Sequence, residues 1–234
     1  MSLTLVVTAV DAERDAVADG IGAPHQVTVG PYRQGRRCET AGADVLVIAG
    51  GVGPAAAAAA ASYAVATHDV SHLVSMGIAG AFASANLAAG AVALASVIVA
   101  ADLGAMTPER FLALDAMGLD GGATVASDDA MLAAARAGLA RTELTVAVGP
   151  LLTLSTITGT THRAAELMAQ HGAVAEAMEG AGVAHVAALH HIPVLEVRTI
   201  SNQVGMRDRE SWDLLGALSS LTTAAGAILC PGWT

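Results

Sequence analysis

Six short runs of branched apolar residues constrain this chain more than any single motif. They are Leu3 to Thr8, Val45 to Ala49, Leu73 to Met76, Val92 to Val99, Leu151 to Ser155 and Val194 to Ile200. Each barely alternates between apolar and polar side chains. A strand apolar on successive residues is apolar on both faces, so both faces must be covered. The Ala-rich stretches between the runs supply the cover. Helices are expected over Asp11 to Ala18, Pro54 to Thr67, Asp128 to Leu139, Thr161 to His171, Glu179 to His190 and Arg209 to Ala225. The architecture that follows is a three-layer α/β/α fold around a mostly parallel, mixed central sheet, with its ligand crevice at strand C-terminal ends. No linker or repeat interrupts the 234 residues, which are read as one domain, 1–234.

Charge narrows the chemistry. The formal charge is −10, and all eleven cationic residues are Arg; there is no Lys. Nucleic acid or an anionic membrane would need clustered cations, so neither is an expected partner. Without lysine, a Walker-type phosphate site, a Schiff base and a pyridoxal phosphate linkage are all excluded. The two cysteines, Cys38 and Cys230, form no CxxC pair. The N-terminus reads as a strand, not a signal peptide, and the apolar runs from Ala55 to Ala61 and Leu87 to Ala101 are too short or too broken to span a bilayer. A cytoplasmic protein with a small-molecule ligand is the expectation. His185, His190 and His191 lack the spacing of a metal-binding helix face, and no metal is expected.

Two segments carry polar groups where a crevice would be. AEAMEGAGVAHVA places Glu179, after Met178, at the start of a helix; VLEVRTISNQVG ends a buried strand in Arg198, Ser201 and Asn202. A carboxylate, hydroxyl and amide gathered at strand ends suit a sugar and a base, hence a nucleoside. A rival motif, GGVGPAAA with Gly50, Gly51 and Gly53, opens a helix after a strand as a dinucleotide fingerprint would. Its Pro54 and the misplaced Asp69 break that pattern, so it reads as a tight turn whose backbone lines the ligand site.

MEG and RTISN resemble the nucleoside phosphorylase and nucleosidase superfamily. The wider set AVDAERDAV, GGVGP, SMGIAGAF, ADLGAMTPERF, LTLSTITGT and NQVGMRDRESW is similar, within it, to the futalosine hydrolase family. The resemblance covers nearly the whole chain. It implies cofactor-free cleavage of a purine N-glycosidic bond, with hypoxanthine released from futalosine in menaquinone biosynthesis. The neighbouring readings are a methylthioadenosine/S-adenosylhomocysteine nucleosidase, a 6-oxopurine nucleoside phosphorylase and, from another class, a non-enzymatic nucleoside sensor.

By the same resemblance Glu13 matches the acid that takes a proton from the attacking water, and Glu179 with the Met178 backbone matches the ribose binder. Taken alone, Glu13 reads first as an ordinary carboxylate at a helix start, and it is the resemblance that favours the catalytic reading. Asn202 stands where adenine-releasing relatives have an aspartic acid. An amide cannot donate a titratable proton, but it can accept from a protonated N7 while donating to a 6-oxo group. Phosphorylases have an arginine where this chain has Ser75, so water is the expected acceptor. Ile78, Thr156 and Ile157 are expected to line the pocket. Arg110 and Phe111 in ADLGAMTPERFLALD, and Arg207, Arg209 and Trp212 in the tail, could meet the 5′ chain of futalosine, which ends in a benzoate. A chain 54% hydrophobic and poor in aromatics also invites a subunit interface, so a homo-oligomer is expected.

Overall fold

The computed structural model describes residues 2–30, 34–119 and 121–230. In chain order the elements are β1 (Leu3–Thr8), α1 (Asp11–Ile21), β2 (Pro24–Thr28), β3 (Gln34–Glu39), β4 (Asp44–Ala49), α2 (Pro54–Thr67), β5 (Val70–Ala81), β6 (Val92–Ala100), β7 (Gly104–Met106), β8 (Phe111–Ala113), β9 (Thr124–Ala126), α3 (Asp129–Leu139), β10 (Val146–Thr153), α4 (Thr161–His171), β11 (Ala175–Ala177), α5 (Gly180–His190), β12 (Val194–Gln203) and α6 (Leu214–Leu229).

Ten strands form one sheet in the order β11-β10-β6-β12-β5-β1-β4-β3-β2, with β9 beside β6. β1 lies parallel to β4 and β5, β5 to β12, β6 to β10 and β10 to β11, whereas β12 meets β6 antiparallel. Burial follows from the unbroken apolar runs, since every residue of β1 is buried. One face packs Leu5, Leu46, Leu73 and Ile98 with the apolar sides of α2 and α5. The other packs Val6, Val47, Met76 and Leu94 with α1, α3 and α6. The expected α/β/α sandwich around a mixed sheet is what forms.

Differences fall where side chains are polar or elements short. The β2–β3 hairpin, sequences PHQVT and QGRRCE, was not expected; it adds antiparallel to the edge strand β4. There one row of backbone groups needs a partner and little apolar surface is required. The segment around Arg110 and Phe111 is a small hairpin of its own, β7 with β8. The last helix starts at Leu214, not Arg209, because two caps divide the segment. Asp208 accepts from Glu210 N and ends up on an isolated 3₁₀ turn (Arg209–Ser211), while Asp213 accepts from Gly216 N and opens α6. β5 and β12 run several residues beyond their expected ends, to Ala81 and Gln203. Those extensions carry the site.

Candidate active site

A cavity of about 340 Å³ opens at the C-terminal ends of β1, β5 and β12, bounded by β11, the glycine-rich β4–α2 turn and the segment after β12. Glu13 forms one wall. It is the third residue of α1 and is 3% exposed; Oε2 accepts from Ala9 N at 2.9 Å and Val10 N at 3.2 Å. Val10 has no side-chain acceptor, so only the carboxylate half of a capping box exists here. Oε1 reaches across to β5 and accepts from Ile78 N at 2.9 Å. Three backbone N–H groups therefore hold the carboxylate still. Burial nevertheless pushes its pKa above the ordinary glutamate value, against the pull of Arg198 and of the Ile78 and Ala9 amides.

Gly77 lies beneath this arrangement. A Cβ there would stand 2.6 Å from Glu13 Oε1 and 2.7 Å from Arg198 Nη1, so the carboxylate and guanidinium close over a position that only glycine leaves free. Arg198 is 1% exposed in the middle of β12. Its Nε donates to Glu196 Oε1 at 2.8 Å, Nη1 to Glu179 Oε2 at 3.2 Å and Nη2 to Ser75 Oγ at 3.0 Å. Glu196 is fully buried; burial raises its pKa, with Arg198 opposing.

Glu179 is the residue before α5 and is 4% exposed. Its Oε1 accepts from Gly53 N at 3.1 Å, so the glycine-rich turn spends an amide on a protein carboxylate that a dinucleotide phosphate would have needed. Asn202 follows an irregularity in β12, where the register against β5 slips between Ile200 and Asn202. Bulges of this kind re-aim side chains beside active sites. Its Oδ1 accepts from Ser201 Oγ at 2.8 Å and its Nδ2 donates to Gln203 O at 3.0 Å, leaving one N–H and one lone pair for a ligand.

The cavity thus collects Glu13, Ile78, Ile157, Met178, Glu179, Ser201, Asn202 and Arg207. Four other expected residues lie elsewhere. Arg198 is behind the wall as a buried support. Thr156 belongs to the lining loop between β10 and α4 but is not itself in the lining. Arg209 is outside the lining as well, with its guanidinium 5.9 Å from the Trp212 ring centre, while Arg207 is 5.2 Å from the same ring and inside the cavity. Phe111 is on β8 and lines a separate cavity with Val97, Leu114 and His171, because its hairpin folds over β6 and β9 and not over the β5–β12 ends. Ser75 also lies away from the cavity, fully buried under Arg198.

One lining carboxylate was missed. Glu176 on β11 is 6% exposed, with Oε1 accepting from Thr158 N at 2.8 Å and Oε2 from Thr158 Oγ1 at 2.6 Å. Burial raises its pKa, and the two Thr158 bonds oppose that. A lone acid between two alanines in a stretch otherwise apolar was the available signal. Among the described residues no group of three His, Cys, Asp or Glu is placed to hold a metal, and no helix is long and apolar enough to cross a membrane.

A buried carboxylate at a helix start, a second carboxylate on a backbone cradle and an amide at a sheet end make a site for cleaving or binding a nucleoside, and family comparison agrees. The chain belongs to the phosphorylase superfamily, whose family model matches residues 4–230. Within it the chain is 44% identical to the futalosine hydrolase of Streptomyces coelicolor over 230 residues, 96% of this chain and 94% of that protein. Among solved structures, it resembles futalosine hydrolase of Helicobacter pylori at TM-score 0.82 and 16% identity, over 97% of each chain. It also resembles a 5′-methylthioadenosine/S-adenosylhomocysteine nucleosidase from Neisseria meningitidis at TM-score 0.83 and 18% identity, over 98% of this chain and 99% of that one. At such identities these two structures speak for the fold.

Proposed function

We propose that this protein hydrolyses the N-glycosidic bond of futalosine, releasing hypoxanthine and the dehypoxanthinyl product in menaquinone biosynthesis. The observation that carries the reading is Glu13: a carboxylate buried in the cavity wall, fixed by three amides and raised in pKa, with no arginine bonded directly to it among the described residues. Leaving of the purine builds positive charge on the ribose ring, and an ionised carboxylate both favours that charge and takes a proton from the attacking water. Glu179, with the Met178 backbone, holds ribose hydroxyls, and Arg198 donates to Glu179 and orients it from behind. Asn202 receives the departing base as a 6-oxopurine.

Water is the acceptor because a phosphate dianion would enter a cavity lined by Glu13, Glu176 and Glu179, in which Arg207 is the only cation among the described residues. Arg207 lies beside the Trp212 face, which offers the apolar slot and cation that an aromatic acid on the 5′ chain requires. The protein works as a cytoplasmic homo-oligomer. In support, α2 is an alanine-rich helix apolar all round, yet Ala55, Ala59, Tyr63 and Ala66 on it are exposed. The test is Glu13→Gln. It should lower futalosine turnover by at least about a hundredfold while nucleoside binding persists; turnover at the wild-type rate would remove Glu13 from the mechanism.

A further inference from the structure

The sheet places Glu176, Gly80 and Asn202 in a single transverse row. Gly80 on β5 is the register partner of Glu176 on antiparallel β11 and of Asn202 on parallel β12. Residues opposite one another on neighbouring strands project to the same face, and all three line the cavity. Two inter-strand spacings separate the outer pair, roughly 10 Å between Cα atoms. Glycine keeps the middle open: a Cβ at Gly80 would stand 3.1 Å from Asn202 Nδ2 and 3.0 Å from Val204 Cγ2. The floor is bare, with an amide on one side and a carboxylate on the other.

Among the described residues no arginine is hydrogen-bonded or ion-paired to Glu176, and Arg163 acts on it only through space. Its hydrogen-bond partners are the N–H and hydroxyl of Thr158, in the loop that also brings Ile157 to the cavity. Those bonds occupy one site on each oxygen, and a carboxylate offers about four in all. We infer that Glu176 is a second specificity residue for the base, accepting the N1–H of a 6-oxopurine across the Gly80 floor from Asn202. This rests on the proposal that Asn202 receives a purine. The chemistry discriminates sharply, because a 6-oxopurine carries a proton on N1 and a 6-aminopurine a lone pair. The first makes a charge-assisted hydrogen bond with an ionised carboxylate; the second faces it unpaired. The Thr158 bonds fix the orientation and favour the ionised form against the opposing effect of burial, so the loop and the carboxylate form one reader.

The test is calorimetric binding of free hypoxanthine and free adenine to the wild type, Glu176→Gln and Thr158→Val. Glu176→Gln should lose at least about tenfold in hypoxanthine affinity while adenine binding holds or improves, since a glutamine amide can donate to N1. Thr158→Val removes the hydroxyl bond but keeps the backbone one, so it should weaken hypoxanthine in the same direction and by less than Glu176→Gln, with adenine little changed. Should Glu176→Gln melt far below the wild type, 1-methylhypoxanthine asks the same question of the unaltered protein and should bind at least about tenfold more weakly than hypoxanthine. Equal binding of 1-methylhypoxanthine and hypoxanthine, or a Glu176→Gln variant that weakens both bases in the same proportion, would overturn the inference and leave Glu176 as a loop anchor. A wild type that prefers adenine would bring down the 6-oxopurine reading of Asn202 itself. A hypoxanthine preference that survives Glu176→Gln would bring down only the role of Glu176.

Discussion

At the scale of single residues the site is a set of buried charges whose partners determine what each can do. Glu13 accepts three amide N–H bonds and still has a raised pKa, with burial the largest cause. The base is useful only when ionised, so kcat/KM should fall as pH drops through that raised value. The acid limb should therefore have unit slope and a midpoint above the 4.5 of an ordinary glutamate, measurable in a pH profile on futalosine. Glu13→Gln should lower kcat by about 10²–10⁴-fold without loss of binding. Arg198 differs in kind. It is bonded to Glu196, Glu179 and Ser75 inside the sheet, so Arg198→Met would leave two carboxylates buried without their cation. Removing one partner of such a network costs about 3–5 kcal/mol, which thermal or urea melts would register. In sequence Arg198 reads equally as an anion or ribose contact and as a strand-end arginine paired with Glu179 or Glu13; packing decides for the pair with Glu179, because β12 continues to Gln203 and seals the side chain in.

Among elements, the close approaches are made by glycine. On α1, a Cβ at Gly20 would collide with the Thr222 carbonyl of α6, and one at Gly226 would collide with the Gly20 carbonyl, so the two helices touch backbone to backbone. Gly226→Ala should destabilise by about 1–3 kcal/mol, since backbone must move to admit the methyl; a melt matching the wild type would disprove the contact. Most of these elements were legible. Their unbroken apolar runs could only be buried strands, and α2 and α4 have the expected bounds. What escaped was the set of elements without a hydrophobic signature, namely the polar β2–β3 edge and the three-residue strands. β11 is among the latter, and with it Glu176, because a three-residue strand is too short to show any period. The segment after β12 was misjudged for another reason. Asp208 and Asp213 each carry a cap signal, and sequence alone does not say which one opens the long helix.

For the whole molecule, the acidic balance and the exposed apolar side of α2 act together. A net charge of −10 keeps such a surface soluble but does not cover it. Sedimentation velocity should therefore give at least twice the 23.2 kDa chain mass, and Tyr63→Glu on the exposed side of α2 should shift the species toward the monomer. A monomer in the wild type would contradict that. The fold class and nucleoside chemistry were readable because they depend on segments that keep both pattern and polar groups together. Phe111 was misplaced because the path of a hairpin over one pair of strands or another is set by tertiary packing, which no local pattern encodes.

The central claim is hydrolytic release of hypoxanthine from futalosine, and the most direct measurement is base release in phosphate-free buffer. Purified protein would be incubated in parallel with futalosine, inosine and methylthioadenosine, and free base followed by chromatography. Hypoxanthine from futalosine, with no adenine from methylthioadenosine and no requirement for phosphate, is the result predicted. Adenine release, or cleavage that begins only when phosphate is added, would contradict it.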